Sequence, residues 1–332
     1  MIPQRTKTVY NHLKALKLLG ARNRMLGVFL NNEYVHDIIK IFVYTLFLRT
    51  ISDGVHGRKG QSQAVMKQKN KYSRNAADYA KHSSAQQRWA RELIAKLDLN
   101  GDESVLDIGC GEGKVTAEIA GYLPAGHVLG VDSSNDMIES AGRHFPIETH
   151  SNLSFQLADA RQLPFREQFD VIFSNAALHW VIDHQPVLSG IHNSLKAKGR
   201  MLLQMGGKGN AESVISVLET IIANDEWISY FSDFEFPYGF HDPETYAQWL
   251  GKAGLNPVRI ELIPKDMSFE NKDGLSGWIR TTWLPYTNRV PGDLKTELIG
   301  QLVDTYVEKY PEDSDGNIHV QMVRLEVEAI KK

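Results

Sequence analysis

The stretch Val105-Leu106-Asp107-Ile108-Gly109-Cys110-Gly111-Glu112-Gly113 decides the fold. An apolar run, Ser104 to Ile108, ends in glycines at alternate positions, and Lys114 to Ala120 then reads as a helix. Strand, glycine turn and helix together open a nucleotide-binding βαβ unit. The glycines permit a tight turn and let a ligand lie against bare backbone, where a Cβ would intrude. The spacing is G-x-G-x-G and not the dinucleotide G-x-G-x-x-G, and no Lys-Ser or Lys-Thr follows as a phosphate loop requires. The expected ligand is adenosine-like and carries no pyrophosphate.

Outward from the turn, Asp132 ends a second apolar run (His127 to Val131), where a carboxylate can accept both ribose hydroxyls. Asp107 places negative charge toward the ligand's other end, which repels phosphate and suits an ammonium or sulfonium. Ser133, Ser134 and Asn135 are each suited to cap the helix that follows. Further strands read at Leu153–Leu157, Phe169–Ser174 and Arg200–Met205, with a helix through Val187–Leu195 between the last two. This rhythm of strands and helices predicts a doubly wound α/β sheet. Ligands of such sheets bind beyond the carboxyl ends of the strands. Those ends carry Gly109, Gly111 and Gly113, then Asp132, Asp159 and Asn175.

Beyond Met205 the alternation loosens. Ala211–Asn224 and Pro243–Ala253 read as helices, Val258–Ile263 and Ile318–Ile330 as strands, and residues 270–310 as helical and rich in Trp and Tyr. Upstream, residues 1–65 carry ten Lys or Arg against three Asp or Glu, while the chain as a whole has a net charge of −3. That balance gives no global case for nucleic acid. The apolar run Ile38–Leu48 is interrupted by Lys40 and falls short of the ~20 residues of a bilayer span. A single cysteine, Cys110, excludes an intrachain disulfide and fits a reducing cytoplasm. A place inside the glycine turn marks it as a small residue that fits, not a nucleophile.

The glycine turn and Asp132 resemble motif I and the acidic second-strand motif of the class I S-adenosylmethionine-dependent methyltransferases. The resemblance implies a seven-stranded, mostly parallel Rossmann-like sheet, a helical lid and S-adenosylmethionine as cofactor, with no metal. It places Asp107, the three turn glycines, Asp132, Ser133 and Asn175 around the cofactor. Asp159 would accept from the adenine amino group with Ala160 beside the ring. Met137 would lie against the adenine face or in the helix core.

The segment Phe173-Ser174-Asn175-Ala176-Ala177-Leu178-His179-Trp180 is similar to the branch containing trans-aconitate and juvenile hormone acid methyltransferases. So are the run Tyr79 to Arg88 and the run Gly277 to Tyr286. This implies a small carboxylic acid acceptor, contacted by Gln86 (or Gln87) and Trp180. His179 would serve as a general base for a hydroxyl, phenol or amine acceptor, or as a structural histidine. The aromatic segment would form a lid, with Trp278, Trp283 and Tyr286 over the substrate and Arg280 or Arg289 pairing with its carboxylate. Expected organisation is a basic N-terminal extension at 1–65 and a methyltransferase domain at 66–332. Within the domain fall a cap (72–103), a cofactor core (104–205), substrate-side helices and lid (206–316), and a last strand (317–332). Competing readings are a non-catalytic cofactor-binding module and an NAD-dependent oxidoreductase, which the glycine spacing disfavours.

Overall fold

Four short apolar runs and three longer ones become the strands of a single sheet. In a computed structural model, residues 84–332 are described, with side chains from Arg88 onward. The expected extension at 1–65, the beginning of the cap and the side chain of Gln86 lie outside the described residues. The strands are β1 (Ser104–Ile108), β2 (His127–Asp132), β3 (Leu153–Leu157), β4 (Phe169–Asn175), β5 (Leu195–Gly206), β6 (Leu255–Phe269) and β7 (Ile318–Lys331). Their order is β3-β2-β1-β4-β5-β7-β6. Strands β1 to β5 pair in parallel, and β7 runs antiparallel to both β5 and β6. This is the doubly wound, seven-stranded and mostly parallel sheet expected.

Successive side chains of a strand point to opposite faces, so each central strand feeds two cores. Val105, Val171, Phe173 and Leu202 join Leu93 and Ile119 on one face. Leu106, Ile108, Ile172, Met201 and Leu203 join Val187, Ile191 and Tyr246 on the other. Burial on both faces is why these runs are continuously apolar. The covering helices are α1 (Ser84–Ile94), α2 (Lys114–Ala120), α3 (Asn135–His144), α4 (Gln185–Ser194) and α7 (Pro243–Ala253), the last preceded by α5 (Glu212–Ile222) and α6 (Ile228–Phe231). Of the three candidate caps for α3, Ser134 holds the position, its hydroxyl accepting from the Met137 N–H at 3.4 Å.

The far edge differs from the sequence reading. Strand β6 runs well past Val258–Ile263, because it follows β7 along its whole length. Strand β7 pairs with β5 only from Arg324 to Ile330, so among the described strands Ile318–Val323 pairs with β6 alone. This free half of the hairpin carries Ile318, Val320 and Met322 into a third apolar cluster. There it meets Val214 and Leu218 of α5, and the helices α8 (Lys272–Thr282), α9 (Leu284–Thr287) and α10 (Lys295–Lys309). The expected helical stretch 270–310 is thus three helices packed as a layer, with Trp278 and Tyr286 each only 1% exposed. Burying side chains of this size stabilises by ~1.5–3 kcal/mol each. No helix among the described residues is long and apolar enough to cross a membrane.

Candidate functional site

The turn after β1 has all three glycines in the left-handed region, with φ of 79° at Gly109, 54° at Gly111 and 83° at Gly113. Packing accounts for two of them. A Cβ on Gly109 would lie 2.1 Å from the Ala177 Cβ, and one on Gly113 would lie 2.5 Å from the Phe155 ring. A Cβ on Gly111 would meet nothing within 4 Å. Backbone is therefore bare at Gly111 for a reason other than the chain's own packing. Its N–H donates to Asp132 Oδ2 at 3.1 Å, and the Ser134 N–H donates to Oδ1 at 2.8 Å. A carboxylate has roughly four lone-pair sites, so two remain for ribose hydroxyls. Glu112 Oε1, in the turn itself, is buried and has no hydrogen-bond partner among the described residues. Open space, a fixed carboxylate and an unsatisfied acceptor fit an adenosine-type cofactor with a cationic end.

Other expected cofactor residues differ in their surroundings. Asp107 is 2% exposed and accepts from the Thr116 hydroxyl at 2.7 Å. Burial pushes its carboxyl up to about 7, the Thr116 bond opposes this, and the nearby Asp132 charge adds to it. It is a group poised near neutrality behind the turn, where the sequence reading had a fixed negative charge. Cys110 is buried, and desolvation with the charges of Asp107 and Asp132 pushes its thiol far up, as a non-nucleophile requires. Asp159 caps the short 3₁₀ turn Ala160–Gln162 and is held by Arg161 at 2.7 and 3.1 Å. Met137 is buried yet belongs to none of the three apolar clusters, and Ser133 is exposed. Asn175 ends β4 and is half-buried.

A cavity adjoins this turn across the Gly109–Ala177 contact. Ala176, His179 and Trp180 line it from the end of β4, with Ala176 itself at a φ of 52°. Tyr238 and Phe240 come from the loop before α7; Trp278, Thr282 and Trp283 from the end of α8; and Asn210, Met322 and Arg324 complete it. Trp180, Tyr238, Trp283 and Trp278 form a chain of edge-on aromatic contacts, with ring centroids 5.0, 5.7 and 5.6 Å apart in turn. Three polar atoms in this wall are buried without a hydrogen-bond partner among the described residues: Trp278 Nε1, Thr282 Oγ1 and Trp283 Nε1. Arg324 is 3% exposed, and its guanidinium carbon stands 4.7 Å from the Trp89 ring centroid. Among the described residues, no aspartate or glutamate lines the cavity. The Gly206 N–H points at His179 Nδ1 at 3.5 Å, a long contact that leaves the ring's hydrogen on Nε2 in the neutral form.

The structure thus brings together His179, Trp180, Trp278 and Trp283. It does not bring in Arg280, which is exposed, or Tyr286, which sits in the third core, and neither lines the cavity. Arg289 pairs with Asp233 and lies 5.3 Å over Phe234. Sequence reasoning missed Asn210, Tyr238, Phe240, Thr282 and Arg324. For Arg324 there was a signal: Ile318, Val320 and Met322 alternate as inward positions, and Arg324 continues that face.

A family model described as a methyltransferase domain matches residues 99–233. An uncharacterised methyltransferase of Schizosaccharomyces pombe is 32% identical over 216 residues, covering 62% of this chain and 79% of that protein. A solved putative methyltransferase of Bacillus halodurans shares the fold, with a TM-score of 0.51 at 18% identity over 73% of this chain and 98% of that one. The chain belongs to the class I S-adenosylmethionine-dependent methyltransferases. Within that class it is similar to the trans-aconitate 2-methyltransferase of Deinococcus radiodurans, at 31% identity over 66% of this chain and 84% of the relative.

Proposed function

We propose that the protein methylates a carboxylate oxygen of a small organic acid. The support for this is the cavity beside the glycine turn, where Trp278 Nε1, Thr282 Oγ1 and Trp283 Nε1 are buried without a hydrogen-bond partner among the described residues. Two of these are indole nitrogens, which only donate, so an acceptor rich in oxygen lone pairs is favoured there. A carboxylic acid is already ionised at neutral pH, so its methylation requires orientation and not proton removal. On this reading no proton has to pass to His179.

The cofactor, when bound, supplies a methyl group on a sulfonium sulfur. On our reading Gly111, Asp132 and Glu112 hold it, with Asp159 and Met137 toward the adenine. Ala176 and Ala177 separate that site from the acceptor and allow close approach because their side chains are single methyls. Trp180, Tyr238, Trp278 and Trp283 exclude water, which favours a step that removes charge from both partners. Gln86 and Trp180 would orient the reacting carboxylate. The acceptor cavity has a free volume of about 40 Å³, enough for a few waters.

The test is turnover of the full chain with a methyl-labelled donor and a panel of trans-aconitate, citrate, succinate and benzoate, beside phenols and amines. Base-labile methyl esters are the expected products. Labelled ethers or methylamines, with activity lost in His179→Gln and restored at high pH, would replace this reading with a base mechanism.

A further inference from the structure

We propose that His184 is a positioning residue for the acceptor: its imidazole fixes the turn Leu178–Trp180, and with it His179 and Trp180, against α7. The inference rests on the cavity being the acceptor's site, as proposed above, and not on whether that acceptor is an acid.

His184 occupies the N-cap position of α4, where Ser, Thr, Asp or Asn normally caps through its side chain. Its side chain makes no cap bond and is fully buried instead. The imidazole reaches groups of two other elements. Nε2 lies 3.0 Å from the Leu178 carbonyl and 2.9 Å from that of Val181, and Nδ1 lies 2.9 Å from the Tyr246 hydroxyl of α7. A carbonyl only accepts, so Nε2 carries the hydrogen and shares it between both oxygens, and Nδ1 then accepts from the hydroxyl. This arrangement needs a neutral ring. Burial and the neighbouring His241 push the His184 pKa down to about 4, against the pull of the two carbonyls and of Asp183.

The two carbonyls bracket His179 and Trp180, which both line the cavity. The turn is also held from the loop before α7. The Gly239 N–H donates to the His179 carbonyl at 2.9 Å. A Cβ on Gly239 would stand 2.3 Å from the Val181 oxygen and 2.7 Å from His241 Nε2, so turn and loop meet backbone to backbone. Gly239 is flanked by Tyr238 and Phe240, two further rings of the cavity wall. His241 closes the unit, its ring edge-on to His184 at 4.7 Å and to Trp249 of α7 at 4.7 Å. One buried imidazole thus ties α7 to the turn, and the turn carries the loop with it. Without the Nε2 donor the Val181 carbonyl loses a partner inside the fold, at a cost of about 1–3 kcal/mol that the turn can relieve by shifting.

The experiment compares full-chain variants in two ways. One is turnover of whichever compound of the panel above the wild type methylates, trans-aconitate first; the other is crystal structures with S-adenosylhomocysteine bound. His184→Leu should lower kcat/KM for the acceptor about 10- to 100-fold, as a wall misplaced by about 1 Å would. KM for S-adenosylmethionine should stay within about twofold of wild type. His184→Gln can give its two amide hydrogens to the two carbonyls, and should recover to within about fivefold of wild type. If His184 only fills space, that order reverses, because leucine buries no polar group. Gly239→Ala presses on the Val181 oxygen from the other side and should give the same acceptor-side loss. Should His184→Leu not fold, His184→Asn replaces it: its amide matches Nδ1 and stops short of the carbonyls, so it should lose what His184→Gln keeps. The proposal is refuted if His184→Leu (or His184→Asn in its place) matches or exceeds His184→Gln on the acceptor, or leaves Trp180 where the wild type has it. A wild-type chain that methylates no acid overturns the carboxylate reading alone, and the place of Trp180 in the variant crystals still decides this one.

Discussion

Replacing Gly111 by alanine separates a structural glycine from one that a ligand requires. Alanine at a φ of 54° incurs left-handed strain of ~1–2 kcal/mol. No clash is added in the free protein, because nothing lies within 4 Å of the new methyl. A domain of this size should then melt roughly 2–6 °C lower. Gly113→Ala carries the same strain and also drives a methyl to 2.5 Å from the Phe155 ring, so its loss should be clearly larger. The order reverses for the cofactor. If it lies over Gly111, the methyl enters its space at a cost of about 1–3 kcal/mol, or roughly 5- to 150-fold in Kd. Calorimetry with S-adenosylhomocysteine and a thermal melt without it give both numbers for one preparation. Gly111→Ala that binds within twofold of wild type would mean the cofactor does not approach the turn there. A melt as poor as that of Gly113→Ala would mean the space is not open.

Removing Asp132 as Asp132→Ala should weaken cofactor binding by about 1.5–3 kcal/mol, the range for hydrogen bonds to a charged acceptor, and unchanged calorimetry would refute its role. His179→Gln should leave acid methylation within about tenfold, as measured by initial rates, since no proton is removed. Asp107 has a folded-state carboxyl raised from 3.8 to about 7, so the native state holds its proton to higher pH than the unfolded state does. Its favourable contribution is therefore present at low pH and lost as pH rises between those values. The melting temperature of Asp107→Asn should gain on wild type from pH 4 to pH 8, and a pH-independent difference would sink the assignment. Cys110 should resist a thiol reagent in the native protein and react on unfolding, because burial holds the thiol protonated. A chain beginning at Met66 should bind S-adenosylhomocysteine with wild-type affinity, since the cofactor residues begin at Asp107; loss of binding would show that residues 1–65 belong to the site.

The five parallel strands and the cofactor turn were legible in the chain, because each is announced by a contiguous run of residues. Strand β1, the glycine turn and α2 are contiguous, and Asp132 reaches the turn simply by ending the next strand. Continuous apolar runs announced strands buried on both faces, as Phe169–Asn175 is. Ser134 over Ser133 as the cap of α3 was a matter of one residue that only backbone geometry settles. The acceptor cavity was decided by tertiary structure. Its walls come from β4, the loop before α7, α8 and β7, segments up to about 150 residues apart that meet because β7 inserts antiparallel between β5 and β6. Arg280 and Tyr286 sit in the same run as Trp278 and Trp283, yet a helix turns its side chains through 3.6 residues per turn. One face of α8 and its end therefore reaches the cavity, while Arg280 faces outward. Arg324 could be seen as a charge on an inward face, but its partner Trp89 lies 235 positions upstream, and only the folded chain places that ring against it.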